Sequence, residues 1–109
     1  MTQLQIKQES DSWQLVGELS IETVPEAEKR SNAFLGTLGK NGRKTEKLVI
    51  SFENVAKVDT AGLAWLLNFT AALRKSGTDV KVAYPPEALL KLSRLSNAEE
   101  LVFGEQPQD

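Results

Sequence analysis

One short stretch of this 109-residue chain combines reactive side chains with a spacing that gives them a shared frame: Val58-Asp59-Thr60-Ala61-Gly62-Leu63. An aspartate and a threonine placed just before an apolar helical run are both candidate caps. Each can accept hydrogen bonds from the unpaired N–H groups of a first helical turn, and a carboxylate there also suits the positive end of the helix dipole. A single cap, worth about 1 kcal/mol, would be enough for stability. Gly62 costs about 1 kcal/mol relative to alanine inside a helix, and it removes side-chain bulk beside the Thr60 hydroxyl. Asp59, Thr60, Ala61 and Gly62 are therefore read as a docking point as well as a helix start.

The remaining composition excludes most other chemistry. The chain has no cysteine and no histidine, which removes disulfides, thiolate nucleophiles, imidazole bases and nearly all zinc sites. Neither G-x-x-x-x-G-K-[ST] nor G-x-G-x-x-G occurs, so no phosphate-cradling loop is expected. Carboxylate pairs such as Glu99 with Glu100, or Glu26 with Glu28, have nothing around them in the sequence to form a cleft or raise a pKa, and are read as solvated. No catalytic residue, cofactor or metal is expected, and a small-molecule or nucleotide-hydrolysing enzyme is disfavoured. Thirteen basic against fifteen acidic residues, a formal charge of -2, provide no footprint for nucleic acid or an anionic bilayer. The N-terminus lacks a charged and then apolar leader pattern, and the longest apolar run, from Leu63 to Leu67, is far too short for roughly 30 Å of hydrocarbon. The expected location is cytoplasmic, with membrane association only through a partner.

The elements that position the Asp59 stretch follow from hydrophobic period. Leu4 and Ile6, then Trp13, Leu15, Gly17 and Leu19, alternate around a polar break and predict a β-hairpin. Thr23 is a candidate N-cap for a helix with Pro25 and Glu26 in its first turn, with Val24, Ala27, Phe34, Leu35 and Leu38 facing the core, ending near residues 36–39. Residues 40–45 are polar and basic and predict a solvated loop. The run Leu48-Val49-Ile50-Ser51-Phe52 predicts a central strand covered on both faces. A helix over about residues 61–75, a strand through Val80, Val82 and Tyr84, a helix over about 87–95, and a last strand at Leu101-Val102-Phe103 complete the order ββαβαβαβ. This is an α/β fold with a mixed, mostly parallel sheet of about five strands. Residues 1–104 form one domain, and 105–109 a flexible tail.

On the helix after Thr60, Leu63, Leu66, Leu67 and Thr70 share a sheet-facing side at 100° per residue. Trp65, Phe69 and Ala72 form a second stripe roughly opposite. Unless flanking helices cover it, that stripe is an exposed aromatic patch, the usual mark of an interaction surface. Trp65 and Phe69 therefore join the docking residues as expectations, and such a patch would also permit a weak homodimer.

Asp59-Thr60-Ala61-Gly62-Leu63 followed by Leu66-Leu67 resembles the D-[ST]-x-G-L signature of STAS domains, and Gly17-Glu18-Leu19 with Thr23 resembles that family's G-E-L-D-x-x-x-T segment. Ser20 departs from the usual aspartate of the second motif. Thr60 stands where sporulation-type antagonists carry a serine. The resemblance implies a non-enzymatic STAS fold that binds protein partners. Val-Asp-Thr-x-Gly-Leu-Ala and the short C-terminus are most similar to the STAS subunit of the Mla phospholipid-transport ABC complex of Gram-negative bacteria, which implies an ABC transporter ATPase as partner and peripheral placement at the inner membrane through it. The alternative the resemblance implies is an anti-sigma factor antagonist, with Thr60 as phosphoacceptor for an anti-sigma kinase.

Overall fold

The computed structural model describes residues 3–38 and 47–104; the expected loop at 40–45 and tail at 105–109 lie outside the described residues. Alternating apolar residues make β1 (Leu4–Gln8) and β2 (Ser12–Leu19) an antiparallel hairpin, as expected. Helix α1 (Val24–Thr37) then leads to β3 (Lys47–Val58), which pairs parallel with β2. Helix α2 (Thr60–Lys75) leads to β4 (Asp79–Ala83), parallel to β3. The sheet order is β1-β2-β3-β4.

Two successive crossovers that step in one direction place α1 and α2 on one face of the sheet. The burial pattern agrees. Ile6, Trp13, Leu15, Leu48, Ile50, Phe52, Val80 and Val82 are buried, whereas their alternates Gln5, Lys7, Gln14, Val49, Ser51 and Lys81 are half-buried or exposed. The expectation that the central strand is covered on both faces is thus corrected. Val49 made the run look continuously apolar, yet it shares the open face with Ser51.

The expected last strand is also corrected: residues Glu99–Phe103 form a short helix, α4, after α3 (Glu87–Leu95), and the sheet has four strands rather than about five. Three apolar residues carry no usable period, so partners decide their conformation. Val102 is fully buried. Arg74 and Thr70 of α2 donate to the carbonyl of Leu101, and Arg74 also donates to that of Val102 at 3.3 Å. Gly104, at φ 76°, ends the helix. Tyr84 likewise leaves its expected strand: at φ 54°, ahead of Pro85 and Pro86, it turns the chain into α3.

Candidate functional site

Because β2 and β3 are parallel neighbours with Leu19 opposite Val58, the turns that follow them leave the sheet side by side. Asp59 N–H donates to the Leu19 carbonyl at 3.2 Å, which ties the two strand ends together. The Asp59 carboxylate then links the two turns. Its Oδ1 accepts from Gly62 N–H at 3.0 Å and caps α2, and its Oδ2 accepts from Ile21 N–H at 3.0 Å in the β2–α1 turn. Partial burial works to raise its pKa, but the N–H groups of Ile21, Gly62 and Ala61, with the Lys57 charge, outweigh it and hold the carboxyl below the ordinary aspartate range.

Thr23 braces the other turn. It occupies the N-cap position of α1 but makes no side-chain cap. Its buried hydroxyl accepts from Ser20 N–H at 2.9 Å and donates to the Glu18 carbonyl at 2.8 Å. Ser20, the departure from the expected motif, is buried in this turn, while Ile21 beside it points to solvent.

Thr60 takes the first position of α2, exposed, and among the described residues its hydroxyl has no hydrogen-bond partner. The expectation that Asp59 and Thr60 both cap is thus resolved: Asp59 alone performs the capping. Gly62 serves a different purpose from the one expected. A Cβ there would overlap the Leu19 carbonyl oxygen and come within 2.9 Å of Leu19 Cγ. The missing side chain lets α2 seat against the end of β2; it does not open an approach to Thr60, and Gly62 is buried.

Trp65 and Phe69 are corrected as well. They are 3% and 2% exposed, so the two form no free aromatic patch, and the homodimer that such a patch would permit loses that basis. The helical wheel places them away from the leucine stripe, but α1 lies alongside α2 and closes over them. Trp65 Nε1 donates to Ser31 Oγ of α1 at 3.1 Å. Trp65 stacks on Phe69 at 5.4 Å, Phe69 meets Trp13 of β2 at 4.8 Å, and Trp13 meets Phe34 of α1 edge-on at 5.4 Å. What remains open is a groove of about 430 Å³ between the two helices, walled by Ala61, Ala64 and Ala72 on one side and Val24 and Leu35 on the other, with Trp65 in its floor. The structure therefore brings Asp59, Thr60 and Ala61 together at the surface, turns Gly62 inward, and leaves Trp65 and Phe69 beneath the groove.

Ile21 was not among the residues expected from sequence. The only signal was an isoleucine set between a serine and a glutamate in a turn. Among the described residues, no group of three or more acidic, histidine or cysteine side chains is placed to hold a metal ion, and no helix is long and apolar enough to cross a membrane.

A family model described as "Mlab, STAS domain" matches residues 2–103, and the chain belongs to the STAS domain family. Similar solved structures include a sulfate transporter family protein from Wolinella succinogenes, with TM-score 0.66 and 14% identity over 84% of this chain and 70% of that one. They also include the anti-sigma factor antagonist SpoIIAA in its unphosphorylated form, with TM-score 0.65 and 17% identity over 88% of this chain and 82% of that one. At these identities the likeness is one of fold. None of the curated proteins compared with this chain matches it.

Proposed function

We propose that this STAS domain is a non-enzymatic regulatory subunit that binds the cytoplasmic ATPase of an Mla-type phospholipid-transport ABC complex and supports its assembly and activity. The observation that carries the reading is Thr60: an exposed hydroxyl with no partner among the described residues, on a helix start that Asp59 already caps. A side chain with no structural task at a rigid, pre-positioned corner is suited to contact a partner. Ala61 continues that surface and Asp59 sets its geometry, while Gly62, Trp65 and Phe69 support it from below. The description of the matching family model as "Mlab, STAS domain" lends support to the Mla-type partner. The domain reaches the inner membrane only through that partner.

The test is titration of the wild-type domain and Thr60→Glu against a purified Mla-type ATPase subunit from the same cell. Wild type should bind, and Thr60→Glu should weaken binding about tenfold or more, because a charge buried in a docked interface must be desolvated. Equal binding by the two proteins refutes the role given to Thr60.

A second reading, an anti-sigma factor antagonist, is favoured by the same hydroxyl. A phosphate on Thr60 would add roughly 1.5 to 2 negative charges at a helix N-terminus that tolerates them, yet would repel a docked acidic or apolar surface. Incubation with the kinase-type anti-sigma factors of the same cell, read by intact mass, tests it; a Thr60 that stays unmodified counts against it.

A further inference from the structure

Three elements of the β2–α1 turn point inward: Ser20 and Thr23 are buried and bonded to each other, and the backbone is fastened to Asp59. Ile21, between them, is 72% exposed. Isolated apolar side chains on a surface need no explanation in themselves, but this one occupies a particular place. Its own N–H is held by Asp59 Oδ2 while Oδ1 holds the start of α2. One carboxylate thereby fixes Ile21 at a set offset from Thr60 before any partner arrives, which lowers the ordering cost of binding. Tyr84, Leu95 and Leu101, the other strongly exposed large apolar residues among those described, have no such link to the site.

We infer that Ile21 is the apolar anchor of the Thr60 docking face, and that its counterpart is a protein surface with an apolar recess bordered by arginine or lysine side chains. The inference rests on the reading of Thr60 as a docking centre. The identity of the counterpart follows from charge. Residues 19–28 contain Glu22, Glu26 and Glu28 and no basic residue, and all three glutamates are exposed. Lys57, whose charge reaches Asp59, is outnumbered. The same face of a second copy would oppose carboxylate to carboxylate, and nucleic acid or an anionic bilayer would be repelled. A basic-rimmed apolar recess satisfies both the isoleucine and the exposed glutamates of its turn and of the start of α1.

The experiment is a biosensor titration of the full chain against the purified ATPase subunit, using wild type, Thr60→Glu, Ile21→Ala, Ile21→Asp, Ile21→Leu and the double variant Glu22→Lys with Glu26→Lys. Melting temperature and light scattering are recorded for each. Ile21→Ala should weaken binding about tenfold or more, chiefly through faster dissociation, and Ile21→Asp further still. Ile21→Leu should stay within about threefold, since it keeps apolar volume. The double glutamate variant should slow association and flatten its salt dependence. Melting temperatures should hold for the Thr60 and Ile21 changes and fall by about 4 °C or less for the double glutamate variant, since Glu26→Lys reverses a charge in the first turn of α1. If wild type binds, Thr60→Glu fails and Ile21→Ala binds like wild type, the anchor is overturned and the ATPase reading stands. If wild type does not bind the ATPase, the reading and the anchor fall together. If wild type is a dimer that Ile21→Asp dissociates, the proposed counterpart is wrong and a second copy occupies the face.

Discussion

Replacing Asp59 by alanine removes two hydrogen bonds, a local cap on α2 and a link to the distant β2–α1 turn, so its cost can be worked out from the structure. Loss of the bond to Gly62 N–H is loss of an N-cap, about 1 kcal/mol. Loss of the bond to Ile21 N–H removes a charge-assisted bond at a partly exposed position, worth about another 1 kcal/mol after allowance for solvent. Asp59→Ala should therefore lose about 2 kcal/mol at neutral pH. For a chain of 109 residues the melting point should fall by about 8 °C, at about 4 °C per kcal/mol. The loss depends on pH. The folded-state pKa lies below the ordinary value, so the carboxylate's contribution is fully present above about pH 5, and it fades as pH falls through the unfolded value near 4 and then through the lower folded one. Wild type and Asp59→Ala should thus converge toward acid pH. Asp59→Asn is the internal control: its amide oxygen can keep one bond but its NH₂ meets a donor at the other, so it should lose about 1 kcal/mol and add no titration of its own. Urea unfolding at pH 7 and pH 3 measures all of this. A loss below about 0.5 kcal/mol at pH 7, or a gap that does not narrow at pH 3, would refute the account of Asp59 as a two-sided strap.

Other outcomes follow from the same contacts. Gly62→Ala should destabilise by about 2 kcal/mol despite the better helix propensity of alanine, because the new methyl meets a backbone carbonyl that has no rotamer to move into; a gain in urea midpoint would contradict the close seating of α2 on Leu19. Trp65→Ala should cost about 3 to 5 kcal/mol as a buried aromatic truncation, so any loss of binding it causes reports on folding. Trp65→Phe should cost only about 1 kcal/mol, losing the bond to Ser31 and keeping the ring stack. Thr60→Glu should leave the melting point within about 2 °C of wild type, since it changes an exposed first-turn residue where negative charge is favoured.

Period and cap chemistry determined much of this protein. The hairpin, the helix from the Asp59 cap, the β4 strand and α3 were legible because each repeats its apolar spacing over enough residues to choose between 2 and 3.6. The Asp59 stretch was legible because a capping residue before an apolar helix has a local purpose that neighbouring residues reveal. The short segment at Leu101, Val102 and Phe103 offered no period, and its helix was decided by Thr70 and Arg74 reaching across from α2.

The site divides in the same way. Sequence alone placed Asp59 and Thr60 at a helix start, because capping is an interaction between residues two or three apart. It could not give the purpose of Gly62, since the atoms that require it belong to Leu19, 43 positions earlier in the chain. Nor could it decide between an exposed and a covered Trp65, because a helical wheel shows which residues share a face and not which helix lies against that face. Ile21 became noticeable only when a carboxylate 38 residues away was seen to hold its backbone. Local hydrogen bonding and hydrophobic period are written in short stretches of chain and can be read there. Close approach, coverage and the pairing of distant turns exist only once the strands have brought them together, and those were decided by the tertiary structure.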